Sequence, residues 1–195
     1  MLGTGIEARS SVSDDSLIRA AQGGDMDAFG VLYERYRNPV YVFVARSVRL
    51  REDAEDITLD TFARAWSSLP TYRGDGKLLS WLCSIAVNQC RDLARKAPRT
   101  PGTLTDAGLD IEQLIDAASA GDGPESRSVM RSVIAEALEM LPVTHRLLVI
   151  LCDVEGHTAA EAAGIVGCTV ISARVRLFRA RKKLRGLLAH LLEVE

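Results

Sequence analysis

Apolar residues return at steps of three and four through most of the chain, and no stretch alternates apolar and polar positions as a half-buried strand would. The spacing predicts helices over 16–22, 26–37, 40–48, 53–69 and 78–96, separated by Gly23-Gly24, Asn38-Pro39 and the run 70–77. In the fourth of these, Ala54, Ile57, Thr61, Ala65 and Leu69 trace a core-facing stripe that Phe62 and Trp66 widen. Residues 97–123 then turn rich in Pro, Gly, Asp and Thr and read as a flexible linker. A short amphipathic piece, Leu109, Ile111, Leu114 and Ile115, lies within it. Pro124 can open the next helix at its first turn, with Val129, Val133, Ala137 and Leu141 on its apolar face, and another runs from Pro142 to about Cys152. The fold expected is all-α, with two small helical domains at 14–96 and 124–192 and no internal repeat between them.

The pattern is most specific near the C-terminus, between Thr158 and Arg185. Thr158 and Glu161 have the spacing of a capping box, in which each satisfies a backbone N–H of the other, so a helix should start there. Gly167 follows the last apolar residue, Val166, and can take the left-handed conformation that ends a helix without a Cβ penalty. Thr169 can then cap a second helix, along which Val170, Ala173, Leu177, Ala180 and Leu184 draw one narrow buried stripe. Short helix, glycine turn and second helix make a helix-turn-helix, so the C-terminal domain reads as a four-helix unit ending in that motif.

Composition matters here mainly through where the charge sits. The 195 residues are 47% hydrophobic and 26% charged with a net charge of −2, which excludes a uniformly basic nucleic-acid coat. The linker region carries Asp106, Asp110, Glu112, Asp116, Asp122 and Glu125 with no Lys or Arg between Thr100 and Ser126. The second helix of the motif is the reverse. Arg174, Arg176, Arg179, Arg181, Lys182, Lys183 and Arg185 occur there without an acid to pair with on the same helix.

Three surfaces follow as candidates. A helix-turn-helix inserts the start of its second helix into the major groove, which places Ile171, Ser172, Arg174 and Val175 for base edges and Arg176, Arg179 and Lys182 for phosphates, with the capping Thr169 at the head of the same DNA-facing set. The plainer reading is a basic amphipathic helix that packs only on its own domain. Tyr72, Arg73 and Lys77 form a loop leading into a helix with Trp81, Asn88 and Arg91, and cations interleaved with aromatics suit a single nucleic-acid strand. The plainer reading makes Trp81, Leu82 and Ile85 core, with Tyr72 covering it. Asp53, Asp56 and Asp60, with Leu59 exposed beside them, form an acidic ridge suited to a basic partner helix, or simply a solvated face. No histidine, nucleophile or Gly-rich loop accompanies these acids in the sequence, so they do not make a catalytic pair.

Cys83, Cys90, Cys152 and Cys168 lie in helical patterns without CxxC pairing or closely spaced histidines, so neither a zinc site nor a disulfide framework is legible and no metal or cofactor is expected. The start MLGTGIEARSS lacks a charged residue followed by an apolar run, and no apolar stretch is long enough to span a bilayer; the expectation is a cytoplasmic protein with no membrane contact of its own.

The segments DDSLIRAAQGGDMDAFGVLYERY, DAEDITLDTFARAW, YRGDGKLLSWLCSIAVNQCRDLARK and LPVTHRLLVILCDVEGHTAAEAAGIVGCTVISARVRLFRARKKLR, in that order, resemble the extracytoplasmic-function sigma factors of bacterial RNA polymerase. The resemblance covers nearly all of 14–185 apart from the linker. It implies a non-catalytic initiation factor whose 14–96 domain binds core polymerase and the promoter minus-ten element, while 124–192 reads the minus-thirty-five element as duplex. Asp53, Asp56, Leu59 and Asp60 would face the β′ coiled coil, with further contact to the β subunit. Tyr72, Arg73, Lys77, Trp81, Asn88 and Arg91 would hold the melted strand, and an anti-sigma factor is an expected partner.

Three departures qualify the likeness: Leu59 stands where the family usually has glutamine; Leu79, Ser84 and Val87 stand where charge is frequent; Ile171 stands where a small residue is usual. Two other readings of the residues are an operator-binding helix-turn-helix regulator with an N-terminal sensing or dimerisation domain, and a redox or metal switch on Cys152, Cys168, His145 and His157. The first leaves the loop after Pro70 without a role, and nothing in the spacing favours the second.

Overall fold

The computed structural model describes residues 12–74, 77–96 and 133–193, and all regular structure among them is helical. The chain divides into two compact units, 1–89 and 90–195. The expected linker at 97–123, its amphipathic piece at 109–115 and the helix start at Pro124 lie outside the described residues.

The first unit begins with α1 (Asp14–Gln22), two residues earlier than the apolar spacing suggested, with Asp14 and Asp15 in its first turn, where acids complement the helix dipole. The Asp25 carboxylate accepts the Ala28 N–H at 3.0 Å and caps α2 (Met26–Ser47). That helix is continuous, so the break expected at Asn38-Pro39 does not occur. Proline inside a helix costs roughly 3 kcal/mol, through a lost backbone bond and a clash with the preceding turn. Here Pro39 is exposed, while Ala28, Leu32, Val40, Phe43, Val44 and Ser47 continue one buried face on both sides of it. Burying Val40, Phe43 and Val44 at about 1.5–3 kcal/mol each outweighs the defect.

Next come α3 (Arg51–Ser68), a 3-10 turn (Leu69–Thr71) and α4 (Leu78–Lys96), whose residues from Cys90 on belong to the second unit. The expected stripe of α3 is buried from Ala54 to Leu69, and Thr58 joins it by donating its hydroxyl to the Ala54 carbonyl at 2.7 Å. Phe29, Tyr33, Phe62 and Trp66 knit α2 to α3, with ring centroids 5.0 Å apart for Phe29–Trp66 and 4.9 Å for Tyr33–Phe62. Gln89 donates to Thr61 at 2.9 Å, so the buried amide and hydroxyl satisfy each other between α4 and α3.

In the second unit the described helices are α5 (133–139), α6 (Val143–Val149), α7 (Ala159–Val166) and α8 (Val170–Glu193). The chain leaves α6 through a widened turn, Ile150–Val154, where the Glu155 N–H donates to the Ile150 carbonyl at 2.9 Å. Leu147, Leu148, Ile150 and Leu151, with Ala162, Ala163 and Val166 of α7, form the core on which α8 lies. The stripe of α8 is Ala173, Leu177, Ala180, Leu184 and Leu188; Val170, expected at its head, is 36% exposed in the first turn.

Candidate nucleic-acid interface

The helix-turn-helix forms as its local chemistry dictates. The Glu161 N–H donates to Thr158 Oγ1 at 3.3 Å, and the Thr158 N–H donates to Glu161 Oε2 at 2.8 Å, which completes the capping box of α7. Gly167 has φ 67° and ψ 49°, a conformation that an L side chain resists, and there the Cys168 N–H reaches back to the Ala163 carbonyl at 2.9 Å. Thr169 Oγ1 then accepts the Ser172 N–H at 3.2 Å and starts α8.

On α8 the surface differs in detail from the expectation. At about 100° per residue, Val175 points most directly away from the buried stripe, with Ile171 and Phe178 close to the same line and Arg174 and Arg179 on its two flanks. Ile171 is 76%, Val175 44% and Phe178 66% exposed. Thr169, Arg174 and Arg179 are exposed as well, while Ser172, Arg176 and Lys182 are half-buried. The Ser172 hydroxyl lies 3.0 Å from Thr169 Oγ1, so it takes part in the cap. Two of the other cations on this helix are tied to their own unit. Arg181 makes two bonds to Asp153, one of them Nε to Oδ2 at 3.2 Å, and Lys183 donates to the Met140 carbonyl at 2.9 Å. His145 of α6 is held below its usual pKa by burial and by the charges of Arg176, Arg179 and Lys183.

In the first unit Tyr72, Arg73, Gly74 and Lys77 border a cleft of about 640 Å³ whose opposite side includes Asp14, Arg19, Gln22 and Tyr36. Arg73 and Lys77 are exposed. Tyr72 is half-buried with its ring 4.8 Å from Trp81, and Trp81 is itself half-buried under Tyr72 where the plainer reading made it core. Leu82, one residue on, is buried. Asn88 is exposed near the middle of α4, whereas Arg91, a turn further on, falls in the second unit, is half-buried and donates to the Val166 carbonyl at the end of α7. The backbone of the loop is pinned from outside by Gln22, whose amide donates to the Leu69 carbonyl at 3.0 Å and the Tyr72 carbonyl at 2.8 Å. Asp14 receives both Arg35 and the Tyr36 hydroxyl. Burial and that carboxylate push the Tyr36 phenol up to about 12.

The acidic ridge is present on α3. Asp56 and Asp60 are exposed, Asp53 is half-buried, and Leu59 between them is 58% exposed. Asp60 accepts Arg64 Nε at 2.8 Å one turn along, an exposed pair of the kind worth about 0.3–0.5 kcal/mol. Asp56 has no ion-pair partner among the described residues.

Residues 32–100 match the family described as sigma-70 region 2, and residues 131–184 match sigma-70, region 4. The ECF RNA polymerase sigma-E factors of Salmonella typhimurium and of Escherichia coli strain K12 are each 30% identical to this chain over 177 residues, spanning 88% of it and 92% of the relative. The chain belongs to the extracytoplasmic-function sigma factors. These are transcription initiation factors that catalyse no bond chemistry.

Among solved structures, CnrH in complex with the cytosolic domain of CnrY aligns with this sigma factor at a TM-score of 0.63 and 25% identity, over 93% of this chain and 98% of that one. The Bartonella quintana sigma factor RpoE, in complex with the anti-sigma factor NepR, shares the fold at a TM-score of 0.60 and 22% identity, over 83% and 96%. No described helix of this sigma factor is long and apolar enough to cross a membrane. The four cysteines are free thiols, Cys83 and Cys90 buried and Cys152 and Cys168 half-buried. Burial followed by the neighbouring Asp153 raises the Cys152 pKa, the opposite of what a reactive thiolate needs.

Two features escaped the sequence reading. Phe178 stands one turn beyond Val175, and its spacing from Ile171 and Val175 was a usable signal. Gln22 acts on carbonyls 47 and 50 residues away, for which no local pattern exists.

Proposed function

We propose that this sigma factor joins core RNA polymerase and selects promoters through two separate surfaces, one in each unit. The observation that carries the reading is the helix-turn-helix itself. Its second helix exposes Ile171, Arg174, Val175 and Arg179 in its first three turns, while every aliphatic of its buried stripe is committed to the core. That helix reads the minus-thirty-five element in the major groove through Thr169, Ile171, Ser172, Arg174 and Val175, with Arg176, Arg179 and Lys182 on phosphates.

Tyr72, Arg73, Lys77, Trp81 and Asn88 of the first unit, with Arg91 just past its end, capture the melted minus-ten strand. Phosphates take the charge, and a base stacks against the Tyr72–Trp81 pair. Asp53, Asp56, Leu59 and Asp60 dock on the basic β′ coiled coil, with the β subunit also in contact. The functional boundaries are 14–96 for the polymerase and minus-ten domain, 97–123 for the linker and 124–192 for the minus-thirty-five domain. Because a solved sigma factor of this fold is held by an anti-sigma factor, we infer such a partner here, acting on the cytoplasmic pool of polymerase.

The test is transcription by purified core polymerase with this sigma factor on a library of promoters. Transcripts should start downstream of a shared two-part element and depend on the sigma factor. Operator binding without polymerase, and no promoter-specific transcript with it, would overturn the reading.

A further inference from the structure

The outward line of α8 begins with two side chains that carry no polar group. Ile171 is 76% and Val175 44% exposed, and they stand one turn apart, about 6 Å along the axis. β-Branched residues lose side-chain freedom in a helix, so neither favours the helix for its own sake, and Ile171 in particular buries little surface in the fold. The same positions are flanked by exposed Arg174 and Arg179, whose charge suits a nucleic acid better than an apolar protein partner. In the major groove most base-edge groups donate or accept hydrogen bonds, and the bulky apolar feature among them is the C5-methyl of thymine.

We propose that Ile171 and Val175 read thymine methyl groups, so that this sigma factor selects its minus-thirty-five element partly by apolar contact. The inference rests on the groove placement of α8 argued above and adds which base feature is read and by which residues. Two side chains about 6 Å apart span one to two base-pair steps of about 3.4 Å, so the two methyls belong to neighbouring or next-neighbouring pairs. Arg174, on the flank, then supplies the hydrogen-bonded part of the readout.

The experiment uses full-length sigma factor assembled with core polymerase. A preferred element is first selected from duplexes randomised across the minus-thirty-five region. Each selected thymine is then replaced singly by deoxyuridine, which removes the methyl and leaves the base pair unchanged. Burial of one methyl corresponds to about fourfold in affinity, so deoxyuridine at a contacted thymine should weaken binding about fourfold. That penalty should vanish in Ile171→Ala at one position and in Val175→Ala at another. Helical circular dichroism checks that each variant folds, and the deoxyuridine series in the unaltered protein needs no variant at all. If the element is selected strongly but no deoxyuridine changes binding, or if both variants keep every penalty, the methyl reading is wrong and the groove placement stands. If the unaltered holoenzyme selects no minus-thirty-five sequence, both fail.

Discussion

The Gln22 side chain donates to the Tyr72 carbonyl at 2.8 Å across 50 residues of sequence, fastening the loop that borders the cleft to the end of α1. The same amide nitrogen donates to the Leu69 carbonyl at 3.0 Å, which also accepts the Tyr72 N–H at 3.0 Å, so one side chain serves two carbonyls at the end of the 3-10 turn. Gln22→Leu, which keeps the bulk and removes the donors, should cost about 1–3 kcal/mol of stability in urea unfolding, because the Tyr72 carbonyl loses the Gln22 donor and the Leu69 carbonyl keeps only the Tyr72 N–H. Gln22→Glu should resemble Gln22→Leu. A glutamate variant as stable as the unaltered protein would mean the carbonyls find other donors.

Charge reversal on the acidic ridge separates docking from folding. Asp56→Lys combined with Asp60→Lys should reduce affinity for core polymerase at least tenfold and shift stability by less than about 1 kcal/mol, since only one exposed ion pair, Asp60 to Arg64, is lost. Competition for core polymerase against the unaltered protein measures the first, and thermal unfolding the second. Undiminished competition would remove the ridge from the interface.

Arg73→Ala with Lys77→Ala leaves the Tyr72–Trp81 ring pair in place and removes two exposed cations. Open-complex formation should fall more than initial duplex binding, because contacts to a single strand form only after melting. Permanganate reactivity of the melted thymines reports this directly, and an unchanged pattern would exclude the loop from strand capture.

Along α8, Arg174→Ala and Arg179→Ala should fail differently. Loss of Arg174 should cost about 1–3 kcal/mol on the preferred duplex and relax the choice of base at one position. Loss of Arg179 should weaken all duplexes alike and lower the slope of log affinity against log salt by about one. Binding to matched and single-base-changed duplexes at several salt concentrations reads both. A uniform loss for Arg174→Ala would show that its guanidinium serves the backbone.

Tyr36 gives a prediction in pH. Its folded pKa of about 12 lies above the ordinary phenol value of 10, because burial and the Asp14 carboxylate favour the neutral form. The linked stability is therefore fully present below pH 10 and is lost as pH rises through 12. Alkaline unfolding of the intact protein should steepen in that window, and Tyr36→Phe, which has no proton to lose, should flatten it. The Tyr36 ring-carbon NMR shift should keep its neutral value until the same range.

Much of this was legible along the chain because it is local. The capping box of Thr158 and Glu161, the left-handed Gly167 and the Thr169 cap each depend on residues within a few positions, and their backbone bonds form wherever the helices do. The buried stripe of α3 was readable for the same reason, since one helix period places its members on one side. Tertiary structure decided what depends on distant partners. Pro39 sits inside α2 because the core buries both of its flanks, a gain that local propensity cannot foresee. Arg181, one cation among several in sequence, is drawn to Asp153 because the turn after α6 brings a carboxylate to it. Gln22 finds its carbonyls only when the end of α1 meets the turn after α3. Charge and periodicity say what a side chain can do, and the packing of one helix on another decides which of its possible partners it reaches.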